Sequence, residues 1–290
     1  MRLRSLLFVP ADRPERFAKA AISGADAIIL DLEDSVAPVH KAVAREAVAQ
    51  WLAGARPVPT FVRINPIDSD HADADLDVIM AGRPDGIMLP KAEGAASVEA
   101  LLRKCGEDVP PILPIATETP AAIFEMGSYR SVAAHLAGIT WGAEDLPAAI
   151  GALSSRHPDG SYTPPYEVAR ALTLFAAYAA HVPAIETVYP AIRDEAGLAA
   201  YAERGARDGF TGMMALHPAQ VPVINAAFTP SDTQIEQARR IVEAFAAAPG
   251  AGVLMLDGRM IDAPHLAQAR RILDRAGLTS APLQHGRQLD

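Results

Sequence analysis

Residues 25–33 read "ADAIILDLE". Ala27, Ile28, Ile29 and Leu30 form an unbroken apolar run, and the acids Asp31, Glu33 and Asp34 follow within four positions. A short β-branched run with a turn former, Gly24, ahead of it reads as a fully buried strand of the kind found in parallel sheets. Carboxylates are costly to bury without partners. A strand that ends on three of them opens onto a polar rim, and the fold question becomes which sheet gathers its strand ends there.

Working outward, seven further runs have the same character: "SLLFVP" (5–10), "TFVRIN" (60–65), "GIMLPK" (86–91), "PILPIATE" (111–118), "LAGITWGA" (136–143), "PAIETVY" (183–189) and "GMMALHP" (212–218). Ala-rich amphipathic stretches lie between them, at 40–53, 95–104, 166–180 and 195–207. Eight strand–helix alternations predict an α/β fold, a (β/α)8 TIM barrel. A doubly wound open sheet shares the alternation. The barrel also accounts for the polar residues at or just past the strand ends: Asp31, Glu33, Arg63, Asn65, Lys91, Glu118, Asp145, Glu186 and His217. In a barrel such ends converge on one face, where active sites lie.

After residue 228 the pattern changes. "SDTQ" (231–234) has the form of a capping box ahead of a helix whose apolar face carries Ile235, Ala238, Ile241, Val242 and Phe245. "PGAG" ends that helix, Asp257-Gly258 between two apolar runs signals a tight hairpin, and a last helix spans 264–276. The expected organisation is a catalytic barrel over 1–228 and an extension over 229–290, a helical and hairpin lid or arm. The loop 154–165, "SSRHPDGSYTPP", is rich in turn formers and expected to be mobile.

Composition narrows the functional classes. The chain has 290 residues, 50% hydrophobic, with a formal net charge of −9. That balance argues against nucleic-acid binding through general basicity. A single cysteine, Cys105, excludes an internal disulfide and a thiolate metal cluster. No apolar run reaches the length of a membrane span, and the start "MRLRSLLFVPADRPE" has too short an apolar core for a secretory signal. The expectation is a cytoplasmic protein with small-molecule partners, no nucleic acid and no membrane.

Glu118 and Asp145 lie about one βα unit apart, each at a strand end, so adjacent strands would bring them together. Two oxygen ligands completed by water and substrate suit Mg²⁺, with Mn²⁺ as an alternative. The competing reading is capping: Thr119-Pro120 looks like a helix start, and Asp145 precedes "LPAAIG" as an N-cap would. Arg63 can stabilise developing negative charge or form a structural ion pair with Glu33 or Asp34. Lys91 has the same two readings. Phe8, Arg13 and Lys19 suit a phosphate-bearing nucleotide, or else a core aromatic beside a solvated helix face. Asp262 in "GRMIDAPHL" has the form of an N-cap with Pro264 in the first helical turn. His217 reads as a hydrogen-bonded structural histidine.

Taken together, "LLFVPADRPERFAKA", "ADAIILDLEDSV", "VRIN", "LPKAE", "PIATETPAAI", "GAEDL", "TVYP", "GFTGMMALHP", "VINAAFTPS" and "GRMIDAPHL" resemble the citrate lyase β-subunit and malyl-CoA lyase family of the aldolase superfamily, in order and over nearly the whole chain. The resemblance implies Mg²⁺ on Glu118 and Asp145, with Arg63 binding the 2-oxo acid and the enolate oxygen. It implies coenzyme A held through Phe8, Arg13 and Lys19. Asp262 becomes the carbon acid–base, delivered from a neighbouring subunit of a homotrimer or larger oligomer. Glu33 and Asp34 become the residues that orient Arg63 and metal-bound water. The implied reaction is reversible carbon–carbon cleavage of a short 3-hydroxy-3-carboxyacyl-CoA to an acyl-CoA and a 2-oxo acid. A thioesterase or synthase activity, a citrate lyase β subunit needing an acyl carrier protein, and an aldolase on free hydroxy acids are the alternatives. Three positions depart from the pattern: Met213 stands where members often carry lysine, Glu186 where they carry aspartate, and Ala191 where an acid is common. These departures put the acyl substrate in question more than the chemistry.

Overall fold

The computed structural model of the chain describes residues 1–106 and 108–278. They form two compact units, Met1–Phe228 and the segment from Thr229 onward.

The first unit is a barrel of eight parallel strands: β1 (Ser5–Pro10), β2 (Ala27–Asp31), β3 (Thr60–Arg63), β4 (Gly86–Leu89), β5 (Ile112–Pro114), β6 (Ile139–Thr140), β7 (Ala184–Glu186) and β8 (Gly212–Ala215). Their order is β5-β4-β3-β2-β1-β8-β7-β6. Parallel bridges Ile112–Leu136 and Ile115–Thr140 join the two ends and close the ring. Alternation along each strand separates two cores. Leu6, Ala27, Ile29, Phe61, Leu113 and Met214 pack together inside the ring. Leu7, Ile28, Leu30, Val62, Ile87 and Ile139 face the surrounding helices. The same parity turns Asp31 and Arg63 inward, two positions beyond Ile29 and Phe61. It turns Glu186, one position beyond inward-facing Ile185, toward the helices.

The second unit opens with the expected capping box. Ser231 N–H donates to Gln234 Oε1 (2.8 Å) and Gln234 N–H to Ser231 Oγ (3.3 Å), ahead of helix Asp232–Ala247. Strands β9 (Val253–Leu256) and β10 (Arg259–Asp262) form an antiparallel hairpin. Its turn places Asp257 at φ 50° and Gly258 at φ 74°, the left-handed pair that a type I′ turn requires. Helix Ala263–Arg275 follows, and Ala238, Ala269 and Leu273 form a small core with Ile235, Ile241, Val242 and Ile272. Among the described residues no helix is long and apolar enough to cross a membrane.

Candidate active site at the mouth of the barrel

The acids that end β2 are satisfied by partners arriving from three directions. Asp31 is buried, and its carboxylate accepts the backbone N–H groups of Glu33 (2.9 Å) and Ser35 (3.1 Å), so the acid itself shapes the turn that follows the strand. Register pairing sets Asp31 beside Arg63 on β3. Arg63 Nε and Nη2 donate to Asp31 Oδ1 and Oδ2, both at 2.7 Å, and Nη1 lies 2.9 Å from Glu33 Oε2. The guanidinium also rests on the Phe8 ring, 4.9 Å from its centroid. Burial works against the Asp31 carboxylate, but the charge and hydrogen bonds of Arg63 outweigh it and hold its pKa below the ordinary value. Burial also works against the Arg63 cation, and Asp31 again outweighs it, so the pKa of Arg63 is raised. Glu33 is raised, chiefly by burial.

Beneath this turn runs a network that sequence reasoning missed. Lys41, the first residue of helix Lys41–Ala53, is buried, and its ammonium donates to the carbonyls of Leu32 (2.6 Å) and Glu33 (2.8 Å) and to Asn65 Oδ1 (2.8 Å). Asn65 Nδ2 donates to Leu32 O (3.0 Å) and to buried Asp75 (2.7 Å), which Arg45 Nε also contacts at 2.6 Å. Asn65 therefore faces this layer and not the barrel mouth. A signal was present: Lys41 shares the helix face of Ala44, Val48 and Leu52, an apolar stripe where a lysine needs a reason.

Glu118 and Asp145 face the same cleft as Arg63. Neither acts as the cap of the helix beside it. Thr119 caps Pro120–Glu125, its Oγ1 accepting from Ala122 N–H at 3.2 Å. Asp145 is already the first residue of helix Asp145–Ile150, and its Oδ1 accepts from Lys91 Nζ at 3.1 Å. The same ammonium donates to Glu33 Oε1 at 3.1 Å, and Lys91 N–H donates to Glu118 Oε2 at 2.5 Å. Burial first, then the charges of Asp145 and Glu33, push the buried Glu118 carboxyl up to about 8, against the pull of Lys91.

These groups fit a hard divalent cation. Glu118 and Asp145 offer oxygen donors that repel one another until a cation lies between them. Glu33 Oε2 is buried and meets the Arg63 guanidinium as an ion pair without a well-directed hydrogen bond. Gly142 leaves space for the Glu118 carboxylate, since a Cβ there would meet Glu118 Oε1 at 3.3 Å. Among the described residues no three His, Cys, Asp or Glu side chains group to hold a metal. A cation would thus take two carboxylates and fill its shell with water and substrate, as Mg²⁺ commonly does.

The remaining candidates are dispersed. Phe8 and the exposed Asp34 line the cleft. Arg13 and Lys19 are exposed on the segment that leaves β1. Asp262 lies in the second unit, where its Oδ1 is 2.5 Å from His265 Nδ1. His217 caps the turn Pro218–Gln220, its Nδ1 accepting Ala219 N–H at 3.1 Å. Glu186 is fully buried and does not reach the mouth. It accepts Trp141 Nε1 (2.5 Å), Tyr201 OH (2.9 Å) and Arg170 Nε (2.7 Å). Met213, its register partner on β8, packs in the outer core. The departures at 186 and 213 are therefore neighbours in the layer behind the barrel. The loop 154–165 is tied down by Tyr162, which is buried against Trp141 and lies under Arg156, 3.9 Å from guanidinium carbon to ring centroid.

Comparison with known proteins gives a common answer. The profile of the HpcH/HpaI aldolase/citrate lyase family matches residues 4–218, and that of a C–C bond lyase of the TIM-barrel fold matches residues 172–280. A citrate lyase subunit beta-like protein of Mycobacterium tuberculosis is 38% identical, over 93% of this chain and 94% of its own. A (3S)-malyl-CoA thioesterase of Cereibacter sphaeroides is 35% identical over 96% of both chains. The crystal structure of CitE from M. tuberculosis in complex with magnesium, acetoacetate and coenzyme A superimposes with a TM-score of 0.81 at 38% identity, covering 95% of this chain and 98% of that one.

Proposed function

The chain belongs to the HpcH/HpaI aldolase/citrate lyase family, and from that premise we propose that it is a Mg²⁺-dependent carbon–carbon lyase acting on a short 3-hydroxy-3-carboxyacyl-CoA, such as malyl-CoA or citramalyl-CoA. The observation that carries this reading is the pairing, in one cleft, of a fixed guanidinium with two cation-ready carboxylates: Arg63 locked by Asp31 and Glu33, and Glu118 with Asp145. The complex of a 38% identical relative with magnesium and coenzyme A supports both ligand classes.

In this reading Glu118 and Asp145 hold the metal, which when bound supplies Lewis-acid activation of the substrate hydroxyl and carboxylate. Cleavage passes the hydroxyl proton to the Asp262 carboxylate and breaks the C–C bond, and the bonding pair leaves on the thioester half as its enolate. Arg63 stabilises the enolate oxygen, with no reorganisation cost because Asp31 already fixes its plane. Asp262 returns a proton to the enolate carbon. Arg13 and Lys19 bind the phosphates of coenzyme A, while Phe8 supports Arg63 and shapes the acyl end. The protein works as a homo-oligomer in which Asp262 serves a neighbouring copy.

A second reading, hydrolysis of the thioester, is favoured by the 35% identity to a (3S)-malyl-CoA thioesterase. One experiment separates them. The purified protein is given malyl-, citramalyl- and citryl-CoA with Mg²⁺, and the products are resolved chromatographically. An acyl-CoA with an equimolar 2-oxo acid supports the lyase. Free CoA with an intact hydroxy acid supports the thioesterase. No turnover of any free thioester returns the chain to a carrier-protein-dependent subunit or an aldolase on free acids.

A further inference from the structure

The start of the last helix carries an inference that rests on the reading of Asp262 as carbon acid–base. Asp262 ends β10 and stands at the N-cap position of helix Ala263–Arg275. Capping boxes use Glu or Gln at the third helical position to reach back to the N-cap backbone. Here that position is His265. Its Nδ1 lies 3.3 Å from the Asp262 backbone nitrogen and 2.5 Å from Asp262 Oδ1. A contact that short between a ring nitrogen and a carboxylate oxygen holds a proton between them. The ring therefore grips the Asp262 carboxylate through Oδ1, and the His265 backbone N–H reaches the same carboxylate.

We propose that His265 is the positioning residue of Asp262: its ring fixes the plane of the carboxylate through Oδ1, so that the carboxylate meets the carbon proton in one orientation. In the condensing direction the Asp262 carboxylate takes a proton from the α-carbon of the acyl-CoA. The C–H bonding pair remains on the thioester as its enolate, and the proton shared with Nδ1 stays where it was. Cleavage reverses the same transfer. The bond to His265 also holds the Asp262 carboxyl below the ordinary carboxylate range, which keeps it ionised between turnovers.

The test separates positioning from capping with three substitutions in the full-length protein. His265→Leu removes every polar contact. His265→Gln supplies the ordinary capping-box residue without a donor at the Nδ1 position. His265→Asn places an amide N–H where Nδ1 stood. The readouts are kcat, KM and the rate of deuterium uptake from D2O into the methyl group of acetyl-CoA, which reports the carbon-acid step alone. A misplaced catalytic group can cost about a hundredfold. His265→Leu and His265→Gln should therefore lose roughly 10- to 100-fold in kcat and in exchange, with KM within about twofold, and His265→Asn should recover most of the loss. Wild-type exchange by His265→Leu, or by His265→Gln, overturns the proposal. So does an equal loss in all three variants. If Asp262→Asn itself exchanges at the wild-type rate, the acid–base reading of Asp262 has failed and the role of His265 falls with it, an outcome distinct from failure at His265 alone.

Discussion

Asp31 and Arg63 are register partners at the ends of adjacent parallel strands, joined by two hydrogen bonds of 2.7 Å. Strand pairing thus does part of the work of building the site. Once β2 and β3 align, the guanidinium meets the carboxylate face to face, and the bidentate geometry excludes other rotamers. Lysine cannot reproduce that fork. Arg63→Lys should fold normally by circular dichroism yet lose about 10²–10³-fold in kcat, the typical cost of removing one preorganised donor. A loss below fivefold would remove Arg63 from the enolate's side.

Metal binding should be linked to protons. The Glu118 carboxyl, pushed up to about 8 by burial and by neighbouring acids, carries a proton below that pH, and a cation must displace it. Mg²⁺ affinity measured by calorimetry should therefore rise with pH through about 8 and level off above it, with proton release at neutral pH. Glu118→Gln should abolish measurable binding. An affinity unchanged between pH 6 and pH 9 would contradict the assignment of Glu118 as ligand.

Lys41 tests how far the site depends on what lies under it. Lys41→Met leaves the carbonyls of Leu32 and Glu33 and Asn65 Oδ1 without this donor. A buried group left unsatisfied costs about 1–3 kcal/mol. The melting temperature should fall by roughly 2 °C or more, at about 2–4 °C per kcal/mol for a domain of this size, and kcat should fall with it as Glu33 loses its seat. An unshifted melting curve would show that water replaces the ammonium at no cost.

Asp262 should work in trans. Asp262→Asn and Glu118→Gln should each be inactive alone, and mixed oligomers allowed to exchange subunits should regain part of the activity, since one site in the mixture carries both native residues. Recovery is measured against unmixed controls at equal total protein. Its absence in oligomers shown to exchange subunits would place Asp262 at the barrel of its own copy.

The barrel was legible because apolar runs and polar strand ends carry through the sequence independently of detail. Asp31, Glu33, Arg63, Glu118 and Asp145 stood out as charges where burial begins, and the structure brings all five to one place. Glu186 looked equivalent and is not. A sequence shows that an acid ends a strand, but its facing depends on the parity of the alternation, which is set by the register of β7 with β8. Lys41 and Asp75 escaped notice for a related reason. Each sits on a helix, where a single charge on an apolar face is outnumbered by its neighbours, and its partners come from other elements. The link from His265 to Asp262 was available at capping-box spacing, but a histidine at the third position lies outside the motif's usual alphabet.

Lys91 combines two contributions that an engineer would wish to separate. Its backbone N–H holds Glu118 whatever the side chain, while its ammonium neutralises Glu33 and Asp145. It does so from a left-handed backbone at φ 49°, a conformation glycine adopts without penalty. Glycine at 91 is therefore the natural starting point for redesigning this cleft. It relaxes the chain, preserves the grip on Glu118, and leaves an acidic vacancy into which a different cation, or a cationic substrate, could be recruited.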